Sequence, residues 1–258
     1  MNTTEETAKR MISPAKRVSL ITEYYFSMKR KEIDQMRESG LDIIDLGIGS
    51  PDRPPSDKVI ETLYANAIMP GNHGYQGYTG IPALRKAFSE WYRQYFKVEL
   101  NPADEILPLI GSKEGIMHIS MAFIDEADEV LVPDPGYPAY SAAARLAGGS
   151  VLSYNLTEEK GWLPDFEEIE KNDLSRVKIM WINYPHMPTG KRATKTDLER
   201  IVEFAIKHNI LLCNDNPYSF ILNDDYTSIL SVDGSRDIAL EMNSLSKSHN
   251  MAGWRIGM

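Results

Sequence analysis

Val177-Lys178-Ile179-Met180-Trp181-Ile182-Asn183 runs into Tyr184-Pro185-His186-Met187-Pro188-Thr189-Gly190 and is followed by the helix-like stretch Thr196 to His208 and a second apolar run, Ile210 to Asn214. A short apolar run closed by a Pro/Gly turn reads as a buried strand. Strand, turn, helix, strand is the unit from which parallel sheets are built. Working outward, strand-like runs also lie at Ile106 to Ile110, Glu129 to Val132, Ser150 to Tyr154 and Ile238 to Met242, and helix-like stretches at Ser112 to Ile124 and Pro138 to Ala147. The alternation predicts an α/β fold of three layers: a doubly wound, mostly parallel sheet with right-handed crossovers. Ahead of it, Leu41 to Gly49 reads as a strand running into a glycine loop, with Pro51, Pro54 and Pro55 forcing an extended connection. The residues before that form a charged amphipathic arm in which Ile21, Tyr24, Tyr25 and Met28 have helical spacing.

A chain of 258 residues can bury a sizeable core. Its net charge of -9 disfavours nucleic acid or an anionic membrane as partner, while leaving room for a local basic pocket. The single cysteine, Cys213, sits in an apolar run and reads as core; with no signal-like or membrane-spanning stretch, the expected location is cytoplasmic. No Gly-x-Gly-x-x-Gly opens a helix after a strand, and the five histidines show no metal-ligand spacing, so neither a nicotinamide cofactor nor a metal is expected.

In doubly wound sheets ligands bind at the carboxyl ends of the strands. Polar residues of unusual type collect there: Gly111-Ser112-Lys113, Asp134-Pro135-Gly136-Tyr137, Asn183 to Gly190, Asn214-Asp215-Asn216-Pro217-Tyr218, and Ser244-Leu245-Ser246-Lys247 with Gly253-Trp254-Arg255 beyond. Gly111 and Ser112 open a helix and either hold a phosphate on free N–H groups or merely cap it. Tyr137 either stacks on a ring or is a buried turn aromatic. Asp215 is a poorly solvated carboxylate that needs a cation or several donors to stay charged, unless it caps a turn. Ser244 and Arg255 flank Lys247 where both could reach a phosphate, although a surface salt bridge would equally account for Arg255.

Together these residues resemble the fold-type I pyridoxal-phosphate enzymes, and within them the class I/II aminotransferases, from about Asp45 to Gly257. The resemblance implies that Lys247 forms the Schiff base with pyridoxal 5'-phosphate and moves the proton during transamination of an amino acid with a 2-oxo acid. It places Gly111, Ser112, Lys113 (through its backbone), Ser244 and Arg255 around the phosphate and Tyr137 on the ring. Asp215 matches the partner of the ring nitrogen, and Tyr218 the donor to the 3-hydroxyl oxygen. Gly49 matches the glycine near the substrate carboxylate, and Tyr75 the tyrosine lent across a homodimer to the neighbouring phosphate. Residues 1–46 then correspond to an N-terminal arm and part of a small domain, and 47–258 to the large cofactor-binding domain.

Two departures from the family pattern stand out. Met187 replaces the usual asparagine before Pro-Thr-Gly and cannot donate a hydrogen bond, leaving Tyr218 alone on the 3-hydroxyl oxygen unless Asn183 or His186 substitutes. The chain stops at Met258, before the family's last antiparallel strand and its C-terminal small domain. The missing strand would lie between the runs 106–110 and 238–242, so unpaired interior groups at roughly 1–3 kcal/mol each are expected, with a 258-residue fragment that is inactive alone. A carbon–sulfur β-lyase on the same fold and a non-catalytic role are the rival readings. The amino-acid substrate stays open among aspartate, aromatic, methionine-like and diaminopimelate.

Overall fold

The computed structural model describes residues 12–21, 23–47 and 49–258; the first eleven residues of the arm, Thr22, and Ile48 within the expected first strand lie outside them. Five strands form one sheet in the order β2-β1-β3-β4-β5, all pairs parallel. They are β1 (Glu129–Asp134), β2 (Ser150–Asn155), β3 (Val177–Ile182), β4 (Leu211–Asp215) and β5 (Ala239–Met242). The helices are α1 (Tyr25–Glu38), α2 (Asp57–Ala67), α3 (Pro82–Phe96), α4 (Ser112–Phe123), α5 (Pro138–Ala147), α6 (Phe166–Ile169), α7 (Lys195–His208) and α8 (Leu245–Ser248).

Local chemistry sets the helix ends. Thr194 and Asp197 form a reciprocal capping box at the start of α7, and Asn209 closes it in the left-handed region (φ 53). Pro138 opens α5, where its missing N–H costs nothing. Alternation along the strands then divides the core. Leu131, Met180, Ile182 and Leu212 face α7 with Leu198, Ile201 and Val202. Val130, Val132, Ile179, Trp181 and Cys213 face α4 and α5 with Ile116, Tyr140 and Ala144. Each fully buried large apolar side chain contributes about 1.5–3 kcal/mol, so two such layers hold the sheet rigid. A third cluster packs Phe88, Tyr92 and Phe96 of α3 on Ile106 and Met258.

The chain runs from β1 outward to β2, then returns past β1 to β3, β4 and β5. The switch in direction falls between β1 and β3, and ligands bind at such a point.

Two expected strands are not formed. Residues 41–47 are irregular, with Ile44 and Leu46 82% and 90% exposed, because the described chain gives them no strand to pair with. The run 106–110 contributes one bridge: Leu109 pairs antiparallel with Gly257 through bonds of 2.8 and 2.9 Å, and Pro108 has no N–H to extend the ladder. Gly257 bridges Ser244 on its other side, and Asn243 and Met258 exchange bonds of 2.8 and 2.9 Å. Residues 257–258 therefore occupy the gap in which unpaired backbone is expected from the sequence.

Candidate active site

An anion site is built where α4, α8 and the loop after it meet. Gly111 caps α4 at φ 102, ψ 157, a backbone that side-chain-bearing residues avoid. A Cβ there would stand 2.2 Å from Nη2 of Arg255, so only glycine lets the guanidinium lie against the helix N-terminus. The first-turn N–H groups of Ser112 and Lys113 have no intrahelical acceptor. Arg255 donates from Nη1 to the Ala252 carbonyl at 2.9 Å and, at 3.5 Å, to Ser246 Oγ, which also takes a 2.9 Å bond from Ser244 Oγ. A helix N-terminus, the Ser244 and Ser246 hydroxyls and a guanidinium on one spot describe a place for a phosphate. Ser246 was not singled out from the sequence; the Ser-x-Ser-Lys spacing was its only signal.

At the end of β4, Asp215 is 5% exposed. Tyr140 donates to its Oδ2 at 3.0 Å, while Oδ1 has no partner among the described residues. Burial pushes its pKa up to about 6, against the lowering effect of Tyr140 and of the adjacent Ser112 hydroxyl. That hydroxyl makes no well-formed bond, so it too is buried and unpartnered. Tyr140 stacks on Trp181 at 5.1 Å and is also a residue the sequence reading missed; in a strand–helix unit a core tyrosine gives no sign of where its hydroxyl goes. Burial, with Asp215 nearby, pushes the Tyr218 hydroxyl up to about 12, so it remains a donor. Tyr137 sits edge-on to Tyr140 at 5.7 Å, and Lys113 Nζ lies 5.6 Å from its ring centre and 5.5 Å from that of Tyr24. The arm thus reaches the site through Tyr24. Tyr25 and Phe26 instead line a separate cavity of about 290 Å3 beside α1.

Lys247 stands on α8, half-buried, and its Nζ donates to the Gly49 carbonyl at 2.5 Å. Burial lowers its pKa. Asn183 is committed elsewhere: its Nδ2 donates to the Asp215 carbonyl and its Oδ1 accepts from Met187 N–H at 2.9 Å. His186 bonds Thr189 Oγ1 at 2.9 Å and the Pro135 carbonyl at 3.1 Å. Asn183 has one of its two amide protons engaged and His186 both ring nitrogens, and both side chains brace the loop after β3. Tyr75 is fully exposed, and the chain does not bring it to its own Lys247.

Residues 41–258 match the family Aminotransferase class I and II. The chain belongs to that family. Among class I and II aminotransferases it is 46% identical over 246 residues to the LL-diaminopimelate aminotransferase of Dehalococcoides mccartyi, covering 95% of this chain and 63% of the relative. The enzyme of the same name from Aquifex aeolicus is 41% identical over 94% of this chain and 63% of its own. Substrate-bound BacF from Bacillus subtilis superposes with a TM-score of 0.90 at 33% identity, over 96% of this chain and 63% of that one. Aspartate aminotransferase from Thermus thermophilus with maleate gives 0.88 at 29%, over 96% and 64%. The chain spans a little under two thirds of the length of these relatives.

Proposed function

We propose that this aminotransferase chain binds pyridoxal 5'-phosphate on Lys247 and serves the transamination of an amino acid with a 2-oxo acid. The observation that carries the reading is Asp215: a carboxylate buried at 5% exposure with one oxygen unpartnered calls for a cationic donor, and a protonated ring nitrogen is one. The first-turn N–H groups of Ser112 and Lys113 and the Gly111–Arg255 contact fit a phosphate at the other end.

The cofactor, when bound, supplies an electron sink for charge released at the substrate Cα. Asp215 holds the proton on the ring nitrogen, and its pKa falls once that cation faces it. Tyr218 keeps its proton and donates to the 3-hydroxyl oxygen; Met187 adds no donor there. Lys247, its neutral amine favoured by partial burial, would take the proton from the substrate Cα and hold it for return. Tyr137 covers the ring.

Residues 47–258 form the cofactor-binding domain and 1–46 the arm in this reading. The exposed Tyr75 serves the phosphate of a second copy, and Gly49, against Lys247, marks the substrate end. Diaminopimelate is the first amino acid to test, because it gives the D. mccartyi and A. aeolicus relatives their name. A cytoplasmic setting completes the proposal; no described helix is long and apolar enough to cross a membrane.

Borohydride reduction of the chain mixed with pyridoxal phosphate, followed by peptide mass analysis, tests it. The added mass is expected on the peptide holding Lys247 and is expected to vanish in Lys247→Ala. Label spread over surface lysines, or no label, overturns the reading.

A further inference from the structure

Glu241 is a carboxyl group in the middle of the core that the chemistry above does not use. It is 9% exposed, and no cation faces it among the described residues. Oε1 accepts from Tyr92 Oη at 3.0 Å and Ser228 Oγ at 2.8 Å; Oε2 accepts from Ile229 N–H at 2.9 Å and Asn214 Nδ2 at 2.8 Å.

The direction of these bonds is fixed by what the same groups do elsewhere. Asn243 Nδ2 donates to Tyr92 Oη at 3.4 Å, Leu230 N–H to Ser228 Oγ at 3.1 Å, and Tyr184 N–H to Asn214 Oδ1 at 3.2 Å. Tyr92 and Ser228 donate no other bond among the described residues, so their protons turn towards Oε1, and Asn214 turns its amide nitrogen towards Oε2. Oε2 meets two groups that can only donate, and a proton on Oε1 would displace the hydrogen bonds that Tyr92 and Ser228 donate.

The four donors come from α3, the loop at 228–229 and β4. Their second bonds reach the site on two sides. Asn214 pairs with Glu241 in register, one residue before Asp215, and also holds Tyr184 at the end of β3. Asn243, bound to Tyr92, accepts from the Ser244 N–H at 2.8 Å through its Oδ1. We infer that Glu241 is an ionised carboxylate, held by neutral donors alone, that acts as a positioning residue setting the spacing between Asp215 and Ser244. On the proposed function, on which this rests, that spacing is the distance between the ring-nitrogen end and the phosphate end of the cofactor site.

Two measurements on the 258-residue chain test it. The infrared difference spectrum of the chain minus Glu241→Gln at neutral pH is expected to show an ionised carboxylate band; a protonated carboxyl band overturns the charge assignment whether or not the cofactor binds. Affinity for pyridoxal phosphate, followed by tryptophan quenching, is expected to fall more than tenfold in Glu241→Gln, whose amide would turn N–H groups on donors. It is expected to fall a few-fold in Tyr92→Phe, which keeps the buried ring and frees Asn243. The exposed Glu203→Gln serves as control. Unchanged affinity in a folded Tyr92→Phe, or a loss no larger than in Glu203→Gln, overturns the positioning role. Failure of the unmodified chain to bind overturns the proposed function and with it the positioning role, while the infrared band still decides the charge.

Discussion

Asp215→Asn should stabilise the cofactor-free chain, and by an amount that depends on pH. In the folded chain the Asp215 pKa stands at about 6, against an ordinary 3.8, because burial penalises the charged form. The gap of roughly two pH units corresponds to about 3 kcal/mol at about 1.4 kcal/mol per unit. The folded pKa is the higher one, so the native state binds the proton more tightly. Stability from this group is fully present below about pH 4, falls as pH rises to about 6, and is flat above. Asparagine keeps an oxygen for Tyr140, turns an amide towards the unpartnered Ser112 hydroxyl, and carries no charge to bury. Urea unfolding of both chains without cofactor is therefore expected to give equal stabilities near pH 4 and an advantage of about 3 kcal/mol for Asp215→Asn near pH 7. Buried Glu241 contributes a slope of the same sign, but it is common to both chains and cancels in the difference. Saturating pyridoxal phosphate should reverse the order at neutral pH, since the charged carboxylate then has its partner. A difference that does not change with pH, or that grows towards acid, would refute the reasoning.

Gly111→Ala combines a left-handed backbone with a methyl group 2.2 Å from Arg255 Nη2; it is expected to cost about 1–3 kcal/mol in urea unfolding and more than tenfold in pyridoxal-phosphate affinity by dialysis. Met187→Asn adds an amide donor that, on the proposed function, would join Tyr218 at the 3-hydroxyl oxygen and should lower the pKa seen in the absorbance of the bound cofactor; coincident titrations of parent and variant would rule that out.

The strands and helices that read clearly from the sequence are those whose signals are local. Apolar runs between Pro/Gly turns gave β1 to β5, and α4, α5 and α7 begin within a residue of expectation because a cap or proline marks each start. Residues 41–47 carry the same local signal and fail because a strand also needs a neighbour, which no local pattern reports; 106–110 has a neighbour but keeps only the Leu109 bridge, because Pro108 has no N–H. Lys247, Asp215, Ser112 and Arg255 were legible because each breaks the composition of its surroundings at a strand end. Tyr140 and Glu241 were not. A tyrosine in an amphipathic helix and a glutamate in a short strand look ordinary, and Glu241 meets Tyr92 from 149 positions away in the chain.

Gly257 lies between the two walls of the anion site. Its Cα faces the Asn243 carbonyl, 2.7 Å from where a Cβ would stand, and Gly111 Cα, 3.3 Å away. On one side it bonds Leu109, two residues before Gly111; on the other it bridges Ser244. The aperture between helix N-terminus and lysine loop is thus gauged by the thickness of one bare polypeptide strand. Side chains lining the cup can drift in size without altering that width, whereas a single methyl at 257 would act as a wedge and spread both walls together.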